Sequence, residues 1–140
     1  MLAAGLGVPS VSQLVRLHDH GVEPDFVASM VASGLVSDLD FEDVIRLREN
    51  DARGDDMGRI RGLGFGPYSP DEVIKLRQNG VDVATFAALK EAGVDPASVS
   101  DAIAFRQNDV TAERIRDMKQ QGFNNLTVGQ ILKLRHGGVI

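Results

Sequence analysis

The chain contains no cysteine and no tryptophan, and only 5% of its residues are aromatic. The absence of cysteine excludes disulfides and thiolate chemistry, and the scarcity of rings removes the stacking surfaces on which single-strand nucleic-acid binders depend. No apolar run approaches the roughly 18 residues of a membrane-spanning helix, and no signal-peptide pattern opens the chain. The net charge of −5 also argues against nucleic acid or an anionic membrane as the main partner.

Catalytic and metal-binding motifs are missing as well. The sequence has no HExxH, no glycine-rich phosphate loop and no GxSxG elbow. His18 and His20 fall on opposite sides of a predicted helix, and His136 is far away in the chain, so these histidines cannot share a metal ion. We therefore expect a protein that is not an enzyme and that binds no metal or cofactor.

What the chain does contain is a complete helix signature between Ser69 and Val81. Ser69 and Glu72 can form a capping box, and Pro70 stands at the first helical position, where its missing N–H costs nothing. Gly80 follows the last turn, where a left-handed residue closes a helix at little cost. The stretch predicts a helix with both ends marked.

The same marks occur five times, at steps of 30, 29, 29 and 29 residues. The predicted N-caps are Ser10, Asp40, Ser69, Ser98 and Thr127. The residues that follow each helix are Gly21, Asp51, Gly80, Asp109 and Gly138. A second glycine column contains Gly34, Gly64, Gly93 and Gly122. So many aligned columns indicate an internal repeat.

The fold predicted from these columns is all-α, built of tandem helix-turn-helix (α-hairpin) repeats of about 29 residues that form an α-solenoid or superhelical array. We expect one repeat array over 1–140. Its full repeats are 10–39, 40–68, 69–97 and 98–126, flanked by partial repeats 1–9 and 127–140. Because the register is already mid-repeat at Met1, we interpret the sequence as a piece of a longer array.

Each repeat should contain a first helix and a second helix. The first helices are predicted at 11–20, 41–50, 70–79, 99–108 and 128–137, and second helices at 24–33, 83–92 and 112–121. In the first copy, Val11, Leu14, Val15 and Leu17 share one arc, which predicts the face that packs into the core. No segment alternates with period two, so no sheet is expected.

The second repeat departs from this pattern. Gly54 and Gly58 stand where its second helix should start, in a stretch rich in aspartate. Each interior glycine costs about 1 kcal/mol against alanine, so we expect a frayed, solvated joint here. The alternative is a divalent-cation site formed by Asp51, Asp55 and Asp56, although their spacing matches no calcium loop.

A basic column lies near the end of the first helices. Its members are Arg48, Arg77, Arg106 and Arg135, with His18 in the first copy. The column falls inside the apolar arc, so we expect each stem to be buried and each guanidinium to bond a carbonyl at a neighbouring helix end. The alternative is a positive ladder for an acidic ligand. Farther round the helix, Glu42/Arg46 and Asp71/Lys75 are expected to form i,i+4 pairs.

The outward positions of the second helices vary between repeats, as binding surfaces of solenoids do. The candidate interaction surface comprises Asp25, Ser29, Arg59, Lys90, Glu113 and Arg116. A helix-turn-helix reader of nucleic acid is the alternative, because a helix, a tight joint and a second helix also describe that motif. The mixed charges of this surface show no basic stripe, which favours a protein partner.

Two stretches resemble a bacterial repeat family, namely 116–139 and 17–27. The first contains "Met-Lys-x-x-Gly-Phe", and the second contains "Leu-x-x-x-Gly-Val-x-Pro". Similar repeats follow the metallopeptidase domain in β-lactam-sensor-type membrane transducers. The resemblance carries no catalytic residue over, and it implies a bacterial accessory module in the cytoplasm or the periplasm.

Together these patterns predict a non-catalytic module for protein–protein interaction or domain spacing, with a protein partner that the sequence does not name. Weak head-to-tail self-association is also expected. Interior-type residues lie at both ends of the array, Met1, Leu2 and Leu6 at one end, and Ile131, Leu134, Val139 and Ile140 at the other. In a repeat array such residues are normally covered by a neighbouring unit.

Overall fold

A computed structural model describes residues 10–94 and 96–140, and within them the chain is all-α, with nine helices and no strand. The helices are α1 Val11–Asp19, α2 Pro24–Ser33, α3 Phe41–Glu49, α4 Gly54–Gly62, α5 Pro70–Gln78, α6 Val83–Glu91, α7 Val99–Gln107, α8 Ala112–Gln120 and α9 Val128–His136. Each of these helices is too short to span a bilayer. The all-α prediction is confirmed.

Helix positions follow the predicted period. The first helices α1, α3, α5, α7 and α9 begin at the predicted residues and end one residue early. The second helix α2 matches its prediction, and α6 and α8 end one residue early. The chain divides into two compact units, Met1–Gln78 and Asn79–Ile140. Their boundary falls inside the predicted repeat 69–97, and the solenoid course stays a prediction, as does the single-array division of the chain.

Every first helix begins with the predicted capping box. In α5 the Glu72 amide donates to Ser69 Oγ at 3.2 Å, and the Ser69 amide donates to Glu72 Oε1 at 3.0 Å. The reciprocal pair is also present at Ser10, Asp40, Ser98 and Thr127. These bonds satisfy amide donors that have no partner within the helix.

The first helices also end alike, in a left-handed residue followed by an apolar one. The φ angles are 69° at Gly21, 58° at Asp51, 71° at Gly80, 55° at Asp109 and 73° at Gly138. In α1 the Gly21 amide then donates to the His18 carbonyl, and the Val22 amide donates to the Leu17 carbonyl at 2.8 Å. This closure turns the apolar residue, here the buried Val22, back against the helix that precedes it.

In the unit Met1–Gln78, like helices pack on like. The first helices form contacts from α1 to α3 and from α3 to α5, while α2 packs on α4. The buried cluster joins the first two repeats and contains Leu17, Val22, Val27, Phe41, Val44 and Ile45. The α3 face that carries Phe41, Val44 and Ile45 therefore lies against the helix pair that precedes it.

The second repeat corrects one prediction. Residues 54–62 form a regular helix, α4, rather than a frayed joint. A Cβ built on Gly54 would lie 2.6 Å from Ser29 Cβ and 2.9 Å from the Ser29 carbonyl oxygen, and a Cβ on Gly58 would lie 4.0 Å from Ser33 Cα. Glycine at these positions lets α4 approach α2 closely, so the packing gained there offsets the helix propensity that is lost.

The unit Asn79–Ile140 has its own core. Helix α6 packs on both α7 and α8. Among the described residues, its fully buried side chains are Phe86, Ala88, Leu89, Ala102, Phe105, Ile115, Met118 and Ile131. Ile131 and Ile140 are buried, contrary to the expectation that they are left uncovered, whereas Val139 is exposed and Leu134 is partly exposed. Met1, Leu2 and Leu6, which the same expectation names, lie outside the described residues.

The glycine packing makes a testable prediction. Gly54→Ala should destabilise the protein by about 1–3 kcal/mol, because the new methyl group meets backbone as well as side chain of Ser29. Gly62→Ala is the matched control in the same helix, since a Cβ at Gly62 meets nothing within 4 Å. It should be neutral or stabilising by up to about 1 kcal/mol. Urea denaturation measures both, and equal effects at the two sites would contradict the account of α4.

Candidate functional site

Three arginines of the basic column bond the preceding repeat through the same atom. Nε of Arg77 donates to the Asp51 carbonyl at 3.1 Å, Nε of Arg106 to the Gly80 carbonyl at 2.9 Å, and Nε of Arg135 to the Asn108 carbonyl at 3.1 Å. The acceptors belong to the closure of the preceding first helix. Since carbonyl dipoles make a helix C-terminus negative, each guanidinium stabilises the helix end on which its repeat packs.

The fourth arginine makes a different contact, and the four arginines also differ in solvent exposure. Arg48 lies over the Phe26 ring, with its Cζ 5.8 Å from the ring centroid, rather than on a carbonyl. Arg106 is exposed as a residue, while Arg77 and Arg135 are half-buried.

A second set of ion pairs also joins successive repeats in the unit Met1–Gln78. Arg16 donates to both carboxylate oxygens of Glu42 at 2.7 and 2.8 Å, and Arg46 donates to Asp71 at 2.5 Å. These hydrogen bonds raise the pKa of Arg16 and of Arg46 above the ordinary value. The predicted pairing of Glu42 with Arg46 is therefore wrong, because the acid pairs with the repeat before it instead. Beside Arg46, burial raises the pKa of the Asp43 carboxyl.

The candidate interaction surface stays a prediction, although all but one of its residues are exposed. Five of its members are exposed, namely Asp25, Arg59, Lys90, Glu113 and Arg116. Ser29 is not, because its side chain packs against Gly54 and its hydroxyl donates to the Phe26 carbonyl at 2.8 Å. Serine on α2 and glycine on α4 mark a close contact between the two helices. The variation among second helices alone does not reveal this contact.

Metal-binding groups do not converge in the part of the chain that the structure describes. The Asp51 carboxylate faces the Arg77 guanidinium at 3.4 Å, while Asp55 and Asp56 lie in the first turn of α4. His20 pairs with Glu49 at 2.8 Å, and His136 bonds the Asn108 side chain at 2.6 Å. The contacts of Asp51, His20 and His136 each join one repeat to the next.

The unit Asn79–Ile140 contains an open cavity of about 390 Å³ that the sequence did not predict. Phe105 and Val110 contribute apolar lining, and Asp82, Arg106, Asp109 and Glu113 contribute polar groups. Asp82 caps α6, Arg106 bonds the Gly80 carbonyl, and Asp109 accepts from Arg114 at 3.3 Å. The Thr85 hydroxyl, which also lines the cavity, donates to Asp82 at 2.9 Å.

The surface that departs most from the repeat pattern is on α1. Val11, Leu14, Val15 and His18 follow the spacing i, i+3, i+4 and i+7, and we call this set the α1 face. The exposed fractions are 79% for Val11, 47% for Leu14 and 52% for Val15, and His18 is exposed as well. The prediction that the apolar arc of α1 is buried is thus wrong for three of its four residues, with only Leu17 in the core.

The equivalent positions in α3 and α5 behave in the opposite way. Val44 and Ile45 in α3 are 0% and 3% exposed, and Val73 and Ile74 in α5 are 4% and 5% exposed. In α3 these residues pack on the preceding helix pair. Contiguous apolar surface of this kind commonly marks a protein interaction site. The α1 face therefore has the residue spacing of the faces of α3 and α5 but is exposed, unlike them.

The arginine contact can be tested by stability alone. Arg77→Ala should lower the free energy of unfolding by about 1 kcal/mol, because it leaves the Asp51 carbonyl without its charged donor. Arg59→Ala is the matched control in the same unit, because Arg59 is an exposed helical arginine, and it should change stability by less than about 0.5 kcal/mol. If thermal denaturation finds both variants neutral, a ladder for an acidic ligand becomes the better account of the column.

Comparison of the chain with protein-family models, with curated proteins and with solved structures gave no match. The resemblance to the repeats of β-lactam-sensor-type transducers therefore stays a prediction.

Proposed function

We propose that this chain is a non-catalytic helical repeat module that holds a protein partner, as part of a larger bacterial protein. The observation that carries the proposal is the exposure of Val11, Leu14 and Val15, in contrast to the buried Val44 and Ile45 of α3 and the buried Val73 and Ile74 of α5. Leaving such residues in water costs hydrophobic free energy that a docked helix recovers, at about 25 cal/mol for each Å² of apolar surface removed from water.

The partner that fits the α1 face is helical. The matching face of α3 packs on residues of α1 and α2. An apolar helix stripe with i, i+3, i+4 spacing is also the pattern by which helices dock into grooves. The exposed and varied side chains of the second helices, from Asp25 to Arg116, would then add specificity around this central contact.

A solenoid course and a bacterial accessory role belong to the same proposal. They are supported by the regular first-helix starts and by the resemblance of 17–27 and 116–139 to bacterial repeats. The chain would then space or anchor neighbouring domains while the α1 face holds the partner.

Nucleic acid is the partner class that we do not expect. In the unit Met1–Gln78, Arg16, Arg46 and Arg77 each pair with a carboxylate of the same unit. Guanidinium groups held in this way are poorly placed to neutralise phosphates, and phosphate neutralisation supplies most of the affinity for duplex DNA.

Photo-crosslinking tests the proposal at single-residue resolution. A benzophenone amino acid replaces Leu14 in bacteria that produce the full-length protein, and Ser12 is the matched control on the opposite side of α1. We expect protein adducts from position 14 at several times the yield from position 12. Equal yields at the two positions, or no adduct from position 14, would overturn the assignment of the α1 face as a docking surface.

A further inference from the structure

The open cavity occurs at a repeat position that an aromatic ring occupies in the first two repeats. Phe26 is the third residue of α2, and Thr85 is the third residue of α6. Arg48 and Arg106 are likewise the eighth residues of α3 and α7, the helices that follow. Thr85 and Arg106 both line the cavity. They therefore stand where the first two repeats have Phe26 and Arg48.

In the first two repeats this position is filled. The Phe26 ring packs against the buried cluster that joins them. The Arg48 guanidinium lies over the ring, with Cζ 5.8 Å from the centroid. A cation over an aromatic face is attracted by the negative charge density of the ring. The repeat thus holds an aromatic ring between a second helix and the arginine of the following first helix.

In the later repeats a short side chain replaces the ring. The Thr85 hydroxyl donates to Asp82 at 2.9 Å, so it is directed toward the N-cap of its own helix. The cavity of about 390 Å³ lies beside it. Among its apolar lining residues, Phe105 is 0% and Val110 is 3% exposed. The cavity therefore offers an incoming ring a buried apolar wall and a guanidinium.

The guanidinium is already held in position. Nε of Arg106 donates to the Gly80 carbonyl at 2.9 Å. A side chain fixed in this way does not have to be ordered when a ring binds, so binding loses less conformational entropy.

A second open cavity, which we call the acidic cavity, adjoins the first. Its volume is about 310 Å³, and it shares Asp109, Thr111 and Glu113 with the first cavity. Arg114 and Asp117 complete its lining. Arg114 pairs with Asp109 at 3.3 Å, whereas Glu113 and Asp117 have no ion pair among the residues that the structure describes. Because like charges four residues apart on a helix repel each other, the acidic cavity favours a cation.

We propose that the two cavities together bind a partner segment in which an aromatic residue stands next to a lysine or an arginine. The ring enters the open cavity against the Arg106 guanidinium, as the Phe26 ring lies against Arg48. The basic side chain lies in the acidic cavity, beside Glu113 and Asp117. The inference rests on the proposed function, since it states the chemistry of a partner segment, and it uses a surface other than the α1 face.

NMR titration of the chain with short capped peptides tests the proposal. The probe acetyl-Lys-Phe-Lys-amide should shift the amide signals of Thr85, Val110 and Ala112, with a dissociation constant of about 1 mM for so few contacts. Acetyl-Lys-Leu-Lys-amide lacks the ring and should bind roughly fivefold more weakly, because the attraction between ring and guanidinium is lost. Acetyl-Glu-Phe-Glu-amide reverses the charge and should not bind.

Thr85→Phe is the sharpest test on the side of the protein. It restores in the cavity the pair that Phe26 and Arg48 form, so the new ring should occupy the site and the Lys-Phe-Lys peptide should no longer bind. Gln120→Phe adds the same ring at an exposed position of α8 outside both cavities, and it should bind the peptide like the parent chain.

A charge reversal keeps the test valid if Thr85→Phe does not fold. Glu113→Lys changes an exposed side chain and should weaken binding of the Lys-Phe-Lys peptide by about threefold or more, because it turns an attraction into a repulsion. Asp25→Lys is the matched control, since Asp25 is the second residue of α2 as Glu113 is of α8. It should bind the peptide like the parent chain.

The outcomes that contradict the inference are distinct from those that contradict the proposed function. No shift with the Lys-Phe-Lys peptide up to about 10 mM, or equal affinity for the peptides with phenylalanine and leucine, would overturn the inference. Crosslinking from position 14 does not depend on these cavities. If position 14 gives protein adducts while the peptide does not bind, the proposed function stands and the inference falls.

Discussion

The whole arrangement depends on how the first helices end. A residue with positive φ, such as Gly80, lets the chain reverse, and the apolar residue after it turns inward, as Val81 does. The same turn leaves a carbonyl that points away from the helix, and the arginine of the next repeat donates to it, as Arg106 does to Gly80. Because helices of nine residues are marginal alone, this contact both finishes one repeat and positions the following one. In α1 the face equivalent to the packed face of α3 is exposed.

Much of this arrangement can be predicted from the sequence, because it depends on residues that are close together in the chain. The caps at Ser69 and Ser98 are chosen by hydrogen bonds that span three residues, and the glycine columns report backbone conformations that few other residues adopt. Even the aspartates at 51 and 109 keep the left-handed closure, since aspartate tolerates that region by hydrogen bonding locally. The carbonyl contacts of Arg77 and Arg106 also follow from periodicity, which places a long donor at the rim of an apolar face.

The features that the sequence does not reveal depend on distances between helices. From the sequence alone, Gly54 predicts a break in the helix, because its close contact with Ser29 depends on the fold. Glu42 is likewise predicted to pair with Arg46, because the sequence does not show that Arg16 of the preceding repeat bonds it. The exposure of the α1 face cannot be predicted from the sequence for the same reason. Periodicity states that Val11, Leu14 and Val15 share a side of the helix, but whether anything covers that side is a property of tertiary packing. The carboxylates around the open cavity likewise come together only through the fold.

The face that is buried in α3 is exposed in α1, and thiol labelling measures this difference in exposure directly. The chain has no cysteine, so Leu14→Cys and Val44→Cys each introduce a single probe at equivalent positions. At a protein concentration below about 10 µM, where weak self-association is negligible, the thiol at position 14 should react with a disulfide reagent almost as fast as in denaturant. The thiol at position 44 should react on the order of 100-fold more slowly, because it must wait for local opening. Equal labelling rates at the two positions would contradict the account.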